Sequence, residues 1–139
     1  MKKIMLSIIL LFAGVVGAQI PVDVDVVITL AVNKHPIQTD AGVIDETIAF
    51  DEGNMELMWV FTPCAGPTTV TEITPTAAGD HDWDHVDGGI YTMALPTAAG
   101  DVDNDTEGSG YFTGSCDGVL PWSSHAYIFR KAAINNALV

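Results

Sequence analysis

Aspartates at alternate positions are the residues of this sequence with the clearest chemical potential. The phrase PTAAGDHDWD at 75–84 recurs as PTAAGDVDND at 96–105, and eight of the ten positions are identical. Hard cations such as Ca²⁺ take about six to eight oxygen ligands, and a helical calcium loop also begins with alternate carboxylates. The repeat therefore predicts a candidate calcium site formed by Asp80, Asp82, Asp84, Asp101, Asp103 and Asp105.

The second copy of the repeat departs from a helical calcium loop at two positions. Counted from Asp101, Thr106 stands where the loop requires glycine, and Phe112 stands where it requires a bidentate glutamate. The alternative is a pair of solvated turns, in which proline ends one strand and Gly-Asp begins the next. Both interpretations stay open, and no other cofactor is indicated.

Two histidines and a Ser-Ser-His run also have chemistry-bearing side chains. His81 and His85 would lie about 13 Å apart in an extended chain, which is too far for one zinc ion. Ser123, Ser124 and His125 lack a nucleophile elbow, and neighbours on a strand point to alternate faces, so they form no proton relay. No pair among the 18 carboxylates stands out as buried for glycoside hydrolysis. We therefore expect a protein that is not an enzyme.

Three aromatic residues lie near predicted turns, where rings can stack on a sugar or on a protein partner. They are Trp83, Tyr91 and Trp122. The alternative is that each ring caps one end of a buried core. Trp59 and Phe61 lie in the most apolar segment of the chain and are expected to be core residues.

Cys64 and Cys116 are the only cysteines in the chain. An exported chain meets oxidising conditions, so a disulfide between them is expected. On the chain-entropy model, closing a loop of this length would stabilise the fold by about 4 kcal/mol. The alternative is two free, buried thiols.

Short β-strands are the elements that must position these residues. Segment 22–32 alternates apolar and polar residues, and 55–62 is apolar enough for a central strand buried on both faces. Further strand candidates are 44–50, 68–74, 83–86, 90–95, 110–116 and 119–130. Joined by turns rich in Gly, Pro and Asp, they predict an antiparallel β-sandwich of seven to eight strands over 19–130. Residues 131–139 are expected to be a C-terminal tail or a short helix.

One predicted hairpin explains the placement of the repeat. The DGG turn at 87–89 joins 83–86 to 90–95. The first PTAAGD enters this hairpin at its open end, and the second leaves from the same end. The two acidic phrases are therefore expected to lie together along one rim, where like charges repel unless water or a cation intervenes.

The first segment of the chain differs in composition from the rest. Lys2 and Lys3 precede an apolar run over 4–18, which is typical of a signal peptide. The alternative for residues 1–18 is a retained hydrophobic arm that packs against a neighbouring subunit or a membrane. Residues 19–139 then carry three bases against 18 carboxylates, a net charge of −15. This charge excludes nucleic acid as a partner, because phosphate would repel the chain.

The stretch DWDHVDGGIYTMALP at 82–96, followed by GYFTGSC and LPWSSHAYIF, resembles a class of tailed-phage proteins. These are virion-associated, immunoglobulin-like β-sandwich modules such as the N-terminal module of baseplate upper proteins. The resemblance is carried by Trp83, Gly89, Ile90, Tyr91, Thr92, Met93, Leu95 and Pro96. It implies an immunoglobulin-like fold and a structural role on a particle or an adhesive appendage, without chemistry.

Two functions from different classes follow. The first is a non-enzymatic structural or assembly protein of a virion or an extracellular surface structure, which associates with itself or with other structural subunits. The second is a secreted, calcium-stabilised module that binds carbohydrate or protein. The expected location is extracellular or on the cell surface after signal cleavage, or alternatively in a virion. A membrane is contacted only through residues 4–18, if they are retained.

Overall fold

The computed structural model describes residues 19–22, 27–97, 102 and 105–130, so the predicted arm 1–18 and tail 131–139 lie outside the described residues. The described chain forms nine strands: β1 Gln19–Pro21, β2 Val27–Ala31, β3 Glu56–Pro63, β4 Thr69–Glu72, β5 Trp83–Asp87, β6 Ile90–Pro96, β7 Gly108–Ser115, β8 Trp122–Ser123 and β9 Tyr127–Arg130. Within these residues no helix is long and apolar enough to cross a membrane.

The strands form two sheets. The larger has six strands in the order β1-β9-β7-β3-β4, with β8 pairing to the other half of β7. The smaller has three strands in the order β2-β6-β5. The described strands pair antiparallel except for β1, which lies parallel to β9. The predicted all-β class is confirmed, and the two sheets are consistent with a β-sandwich.

Apolar side chains from both sheets share one core. The hydroxyl of Tyr127 on β9 reaches the other sheet and donates to the Ala31 carbonyl at 2.6 Å. Burial raises the pKa of Tyr127 to about 12. The core includes Leu30, Val32, Leu57, Trp59, Tyr91, Met93, Leu95, Phe112, Tyr127 and Phe129.

Two glycines of β7 allow indole rings to lie directly on the strand backbone. A Cβ placed on Gly110 would lie 2.2 Å from the Trp59 ring, and one on Gly114 would lie 2.4 Å from the Trp122 ring. Both distances are far below van der Waals contact, so any side chain at these positions would displace an indole ring. Phe112, between the two glycines on the same face, packs against Trp59 with ring centroids 4.8 Å apart.

Several strand predictions are confirmed. Segment 55–62 forms the interior strand β3, segment 68–74 contains its neighbour β4, and the DGG hairpin joins β5 to β6. The expectation that β3 is buried on both faces is wrong. Met58 and Val60 are only half-buried, because no described residues form a layer over that face.

The strand predicted over 44–50 is also wrong. Its backbone forms one isolated bridge, between Ile44 and Gln38, and no ladder. The backbone carbonyl of Asp45 and the backbone N–H and carbonyl of Ile48 instead form hydrogen bonds with side chains of the β5–β6 hairpin.

The described chain has nine strands, against the seven to eight expected. One reason is β1 at Gln19–Pro21, which precedes the single strand predicted over 22–32; the described part of that segment contains only β2, which belongs to the other sheet. Another lies in 119–130, which divides into β8 and β9. The division falls at Ser124, whose hydroxyl accepts a hydrogen bond from the backbone N–H of Phe112 at 2.8 Å.

Candidate functional site

The three aromatic residues near turns are buried in the core. Trp83 and Trp122 are each 8% exposed, and Tyr91 is fully buried. Trp83 stacks on Tyr91 with centroids 5.0 Å apart, and Trp122 lies 6.4 Å from Trp83. This burial agrees with the alternative of core aromatics; Trp122 also lines a groove that is described below.

The polar ends of two of these rings hold the irregular segment 45–48. The indole N–H of Trp83 donates to the Ile48 carbonyl at 3.0 Å. The Tyr91 hydroxyl accepts from the Ile48 N–H at 3.1 Å and donates to the Asp45 carbonyl at 3.0 Å. Burial raises the pKa of Tyr91. Both rings therefore have a structural role.

The predicted disulfide between Cys64 and Cys116 is wrong, because both thiols are free. β3 and β7 are antiparallel, with Pro63 opposite Gly108 and Glu56 opposite Ser115. Each cysteine directly follows one of these strands, so they lie at opposite ends of the ladder, more than about 20 Å apart. A disulfide needs Cα atoms within about 7 Å. Cys64 is exposed, whereas Cys116 is buried.

The aspartates of the first repeat do not converge on one point. Asp80 is exposed in a loop, Asp82 is half-buried, and Asp84 is exposed on β5. Within the described residues no group of three His, Cys, Asp or Glu side chains could hold a metal ion. Asp101 and Asp103 lie outside the described residues, and Asp105, which is described, is exposed. The calcium site over all six aspartates therefore stays a prediction.

The first repeat copy is hydrogen-bonded to the strand that leads into the second copy. The His81 N–H donates to the Ala94 carbonyl at 2.7 Å, and the Ala94 N–H donates to the Asp82 carbonyl at 3.0 Å. The second copy begins at Pro96, two residues beyond Ala94. The environments differ, because Ala77 to Asp80 are exposed whereas Thr97 is buried.

The Ser-Ser-His run has a structural arrangement. The Ser124 hydroxyl is buried and donates to the His125 carbonyl at 2.7 Å, in addition to accepting from Phe112. Ser123 is half-buried and His125 is exposed. The Ser124 hydroxyl is thus occupied in pinning the segment between β8 and β9 to β7.

The exposed side of the six-stranded sheet carries an apolar row that the sequence pattern alone did not single out. Val70, Val60 and Tyr111 are cross-strand neighbours on β4, β3 and β7. Val70 is 64% exposed and Tyr111 is 41% exposed. The flanking rows pair Met58 with Thr113 and Thr62 with Ser109. We call these residues the outer face: Met58, Val60, Thr62, Val70, Ser109, Tyr111 and Thr113.

The seven residues of the outer face form an uncharged patch on the exposed side of the sheet. None of its seven residues is acidic or basic, although the chain has 18 carboxylates and a net charge of −13. Two carboxylates border these seven residues: Glu72 is exposed and is the cross-strand neighbour of Met58, and Glu56 lies opposite Ser115. Interface cores in proteins are depleted in charged residues and enriched in Tyr and Met. The outer face therefore has the composition of a contact surface.

A groove of about 400 Å³ lies between residues 34–38 and 120–123. Backbone hydrogen bonds close both ends: Lys34 N–H donates to the Ser123 carbonyl at 2.9 Å, and Leu120 N–H donates to the Gln38 carbonyl at 2.8 Å. Its lining includes a lysine and a histidine but no carboxylate. The lining residues are Lys34, His35, Pro36, Ile37, Gln38, Thr113, Leu120, Pro121, Trp122 and Ser123.

Comparison with protein-family models, curated proteins and solved structures found no match to this chain. Function is therefore inferred from the two surfaces just described. The outer face offers an uncharged sheet surface, and the groove offers a basic rim beside apolar walls. Sequence reasoning missed both, because each is assembled from strands or loops that are distant along the chain.

Proposed function

We propose that this protein is a non-enzymatic structural module that associates with copies of itself through the outer face. It would serve in this way in an extracellular surface structure or a virion. The observation that carries the proposal is the uncharged, partly apolar patch of seven residues on the sheet surface of a chain whose net charge is −13. No chemical step is assigned to any residue.

Electrostatics explains why copies would meet at this surface. Two strongly acidic molecules repel each other, and contact between charged surfaces would force carboxylates together. Salt limits this repulsion to about 8 Å at physiological ionic strength. The central row of Val60, Val70 and Tyr111 carries no charge, so this row can approach a second copy while the neighbouring Glu72, opposite Met58, stays at the edge of the contact.

The shape of the outer face favours a contact with two-fold symmetry. Its central row crosses three neighbouring strands, about 10 Å in all, with Tyr111 at one end and Val70 at the other. An isologous contact would place the tyrosine of one copy over the valines of its partner. Seven side chains are fewer than the about 20 residues that each partner supplies to a stable interface, so the association would be weak in dilute solution.

An immunoglobulin-like type is part of the same proposal. In immunoglobulin-like domains the strands are lettered in chain order, and one sheet contains the neighbours B, E and D; the order β2-β6-β5 matches these. In the variable type the other sheet has the order G-F-C-C′, which the order β9-β7-β3-β4 matches. Trp59 on β3 then takes the place of the buried tryptophan of strand C. The chain departs from antibody domains in having free cysteines.

Two valines of equal exposure provide a matched test. Val70 on the outer face and Val27 on the three-stranded sheet are both 64% exposed. Sedimentation velocity of the protein, purified after expression of the full chain, should show association that Val70→Asp weakens and Val27→Asp leaves unchanged. Thermal melting of the dilute proteins should show that both variants remain folded. Equal behaviour of the two variants would contradict the proposal.

The location is tested by sequencing the N-terminus of the purified protein. A chain that begins at Gln19 indicates export and a role outside the cell. A chain that begins at Met1 indicates that residues 1–18 are kept as a hydrophobic arm, which favours a role inside an assembly such as a virion.

A further inference from the structure

We propose that the groove between 34–38 and 120–123 receives an acidic loop from a second copy, so that copies also join head to tail. The acidic loop is AAGDHD at residues 77–82. This inference rests on the self-association proposed above, but it uses a different surface and gives the first copy of the repeat a binding role.

The groove and the acidic loop lie at opposite ends of the three-stranded sheet. Ile37, in the groove wall, donates its N–H to the Gly89 carbonyl just before β6. His81, in the acidic loop, donates its N–H to the Ala94 carbonyl near the end of β6. Five residues of extended strand separate these points by about 17 Å. A molecule therefore cannot fill its own groove. A contact between copies would join two different surfaces, and repeated head to tail it would form a closed ring or an open chain.

The charges of the two surfaces are complementary. Lys34 and Arg130 are the only lysine and arginine among the described residues, and Lys34 lies at the groove. His35 lies beside it, and no carboxylate lines the groove. The acidic loop presents the exposed Asp80. In a chain this acidic, the groove is the described surface best suited to receive a carboxylate.

The acidic loop also has a suitable shape. Its exposed tip is Ala77, Ala78 and Gly79, none of which carries more than a methyl group. The Thr76 hydroxyl donates its proton to the Asp80 carbonyl at 2.7 Å and also lies 3.2 Å from the Ala78 carbonyl, so both ends of the loop are tied to one side chain. A narrow, ordered tip can enter an open groove with little loss of conformational entropy.

A charge swap tests the head-to-tail contact in the Val70→Asp background, where the outer face is impaired. At low salt, Lys34→Glu alone and Asp80→Lys alone should each weaken the remaining association by about tenfold. An equimolar mixture of the two should restore it, because every loop then meets a groove of opposite charge. Arg130→Glu, at the end of β9, is the control and should have no effect. Sedimentation velocity measures all four samples.

The outcomes separate the two proposals. Restoration in the mixture, and its loss at high salt, supports the head-to-tail contact. Unchanged association in the single variants, or a mixture that stays monomeric, overturns it. If Val70→Asp does not weaken the association of the wild-type protein, the proposed contact through the outer face is wrong. The charge-swap experiment can still be interpreted in that case, because Lys34 and Asp80 belong to other surfaces.

Discussion

The two faces of the six-stranded sheet are built from alternate residues of the same strands, yet they are suited to opposite tasks. On the inner face of β7, Gly110 and Gly114 allow indole rings to lie on the backbone. On the outer face of the same strand, Tyr111 continues a row of valines into solvent. The two-residue period of a strand therefore separates residues that determine stability from residues that determine association. Inner substitutions should change the free energy of unfolding, and outer substitutions should change self-association.

The largest expected effect is on the inner face. Gly110→Val places a side chain where the Trp59 ring lies, so it should lower the free energy of unfolding by about 3 kcal/mol. Ser109→Val, one residue away on the outer face, is the control and should change it by less than about 0.5 kcal/mol. Urea denaturation followed by tryptophan fluorescence measures both. Equal losses would show that the two faces do not differ in this way.

The next effect concerns the hydroxyl groups of two tyrosines. Tyr91→Phe removes the partner of the buried Ile48 N–H, so it should lower the free energy of unfolding by about 2 kcal/mol. Tyr111→Phe removes a hydroxyl from an exposed ring and should have almost no effect on stability. If denaturation finds the two variants equally stable, segment 45–48 is not held by Tyr91.

A smaller effect is expected at alkaline pH. Burial is the main cause that raises the pKa of Cys116 from 9.0 to about 11. Between these values the unfolded thiol has lost its proton while the folded thiol keeps it, so the free energy of unfolding should fall as pH rises. This stabilisation is fully present below pH 9 and is lost as pH passes about 11. Urea titrations across this range should show that Cys116→Ala reduces the slope and Cys64→Ala does not.

The smallest expected effect is a difference between the two cysteines in their reaction with a thiol reagent. Cys64 is exposed and Cys116 is buried, so a thiol reagent should modify one cysteine per folded chain. Peptide mapping should place the label on Cys64. A second equivalent should react only in denaturant. Rapid labelling of both thiols in the folded protein would contradict the burial of Cys116.

Local sequence patterns anticipated part of this structure for physical reasons. The apolar composition of 55–62 and the DGG turn at 87–89 depend on neighbouring residues, and the strand and the hairpin that they predict agree with the structure. Segment 44–50 was also predicted to be a strand, but its backbone does not pair with another strand. The hydrogen-bond partners of the Ile48 backbone are the side chains of Tyr91 and Trp83, which are 43 and 35 residues away in the sequence. Local patterns do not reveal such partners.

The candidate surfaces were less accessible to sequence reasoning. Val60, Val70 and Tyr111 become one row only when the register of three strands is known. The cysteines illustrate the same limit, since a disulfide was plausible until the ladder placed them at opposite ends of β3 and β7. The alternating glycines of 108–114, by contrast, are a readable sign of large rings packed on a strand.

The most direct test of the account is the dissociation constant for self-association, measured by sedimentation equilibrium for three forms of the protein. Tyr111→Phe keeps the outer face uncharged, so its constant should match that of the wild type. Tyr111→Asp introduces one carboxylate at the end of the central row, so its constant should rise by at least about tenfold. A dissociation constant for Tyr111→Asp equal to that of the wild type would contradict the claim that the uncharged outer face joins the copies.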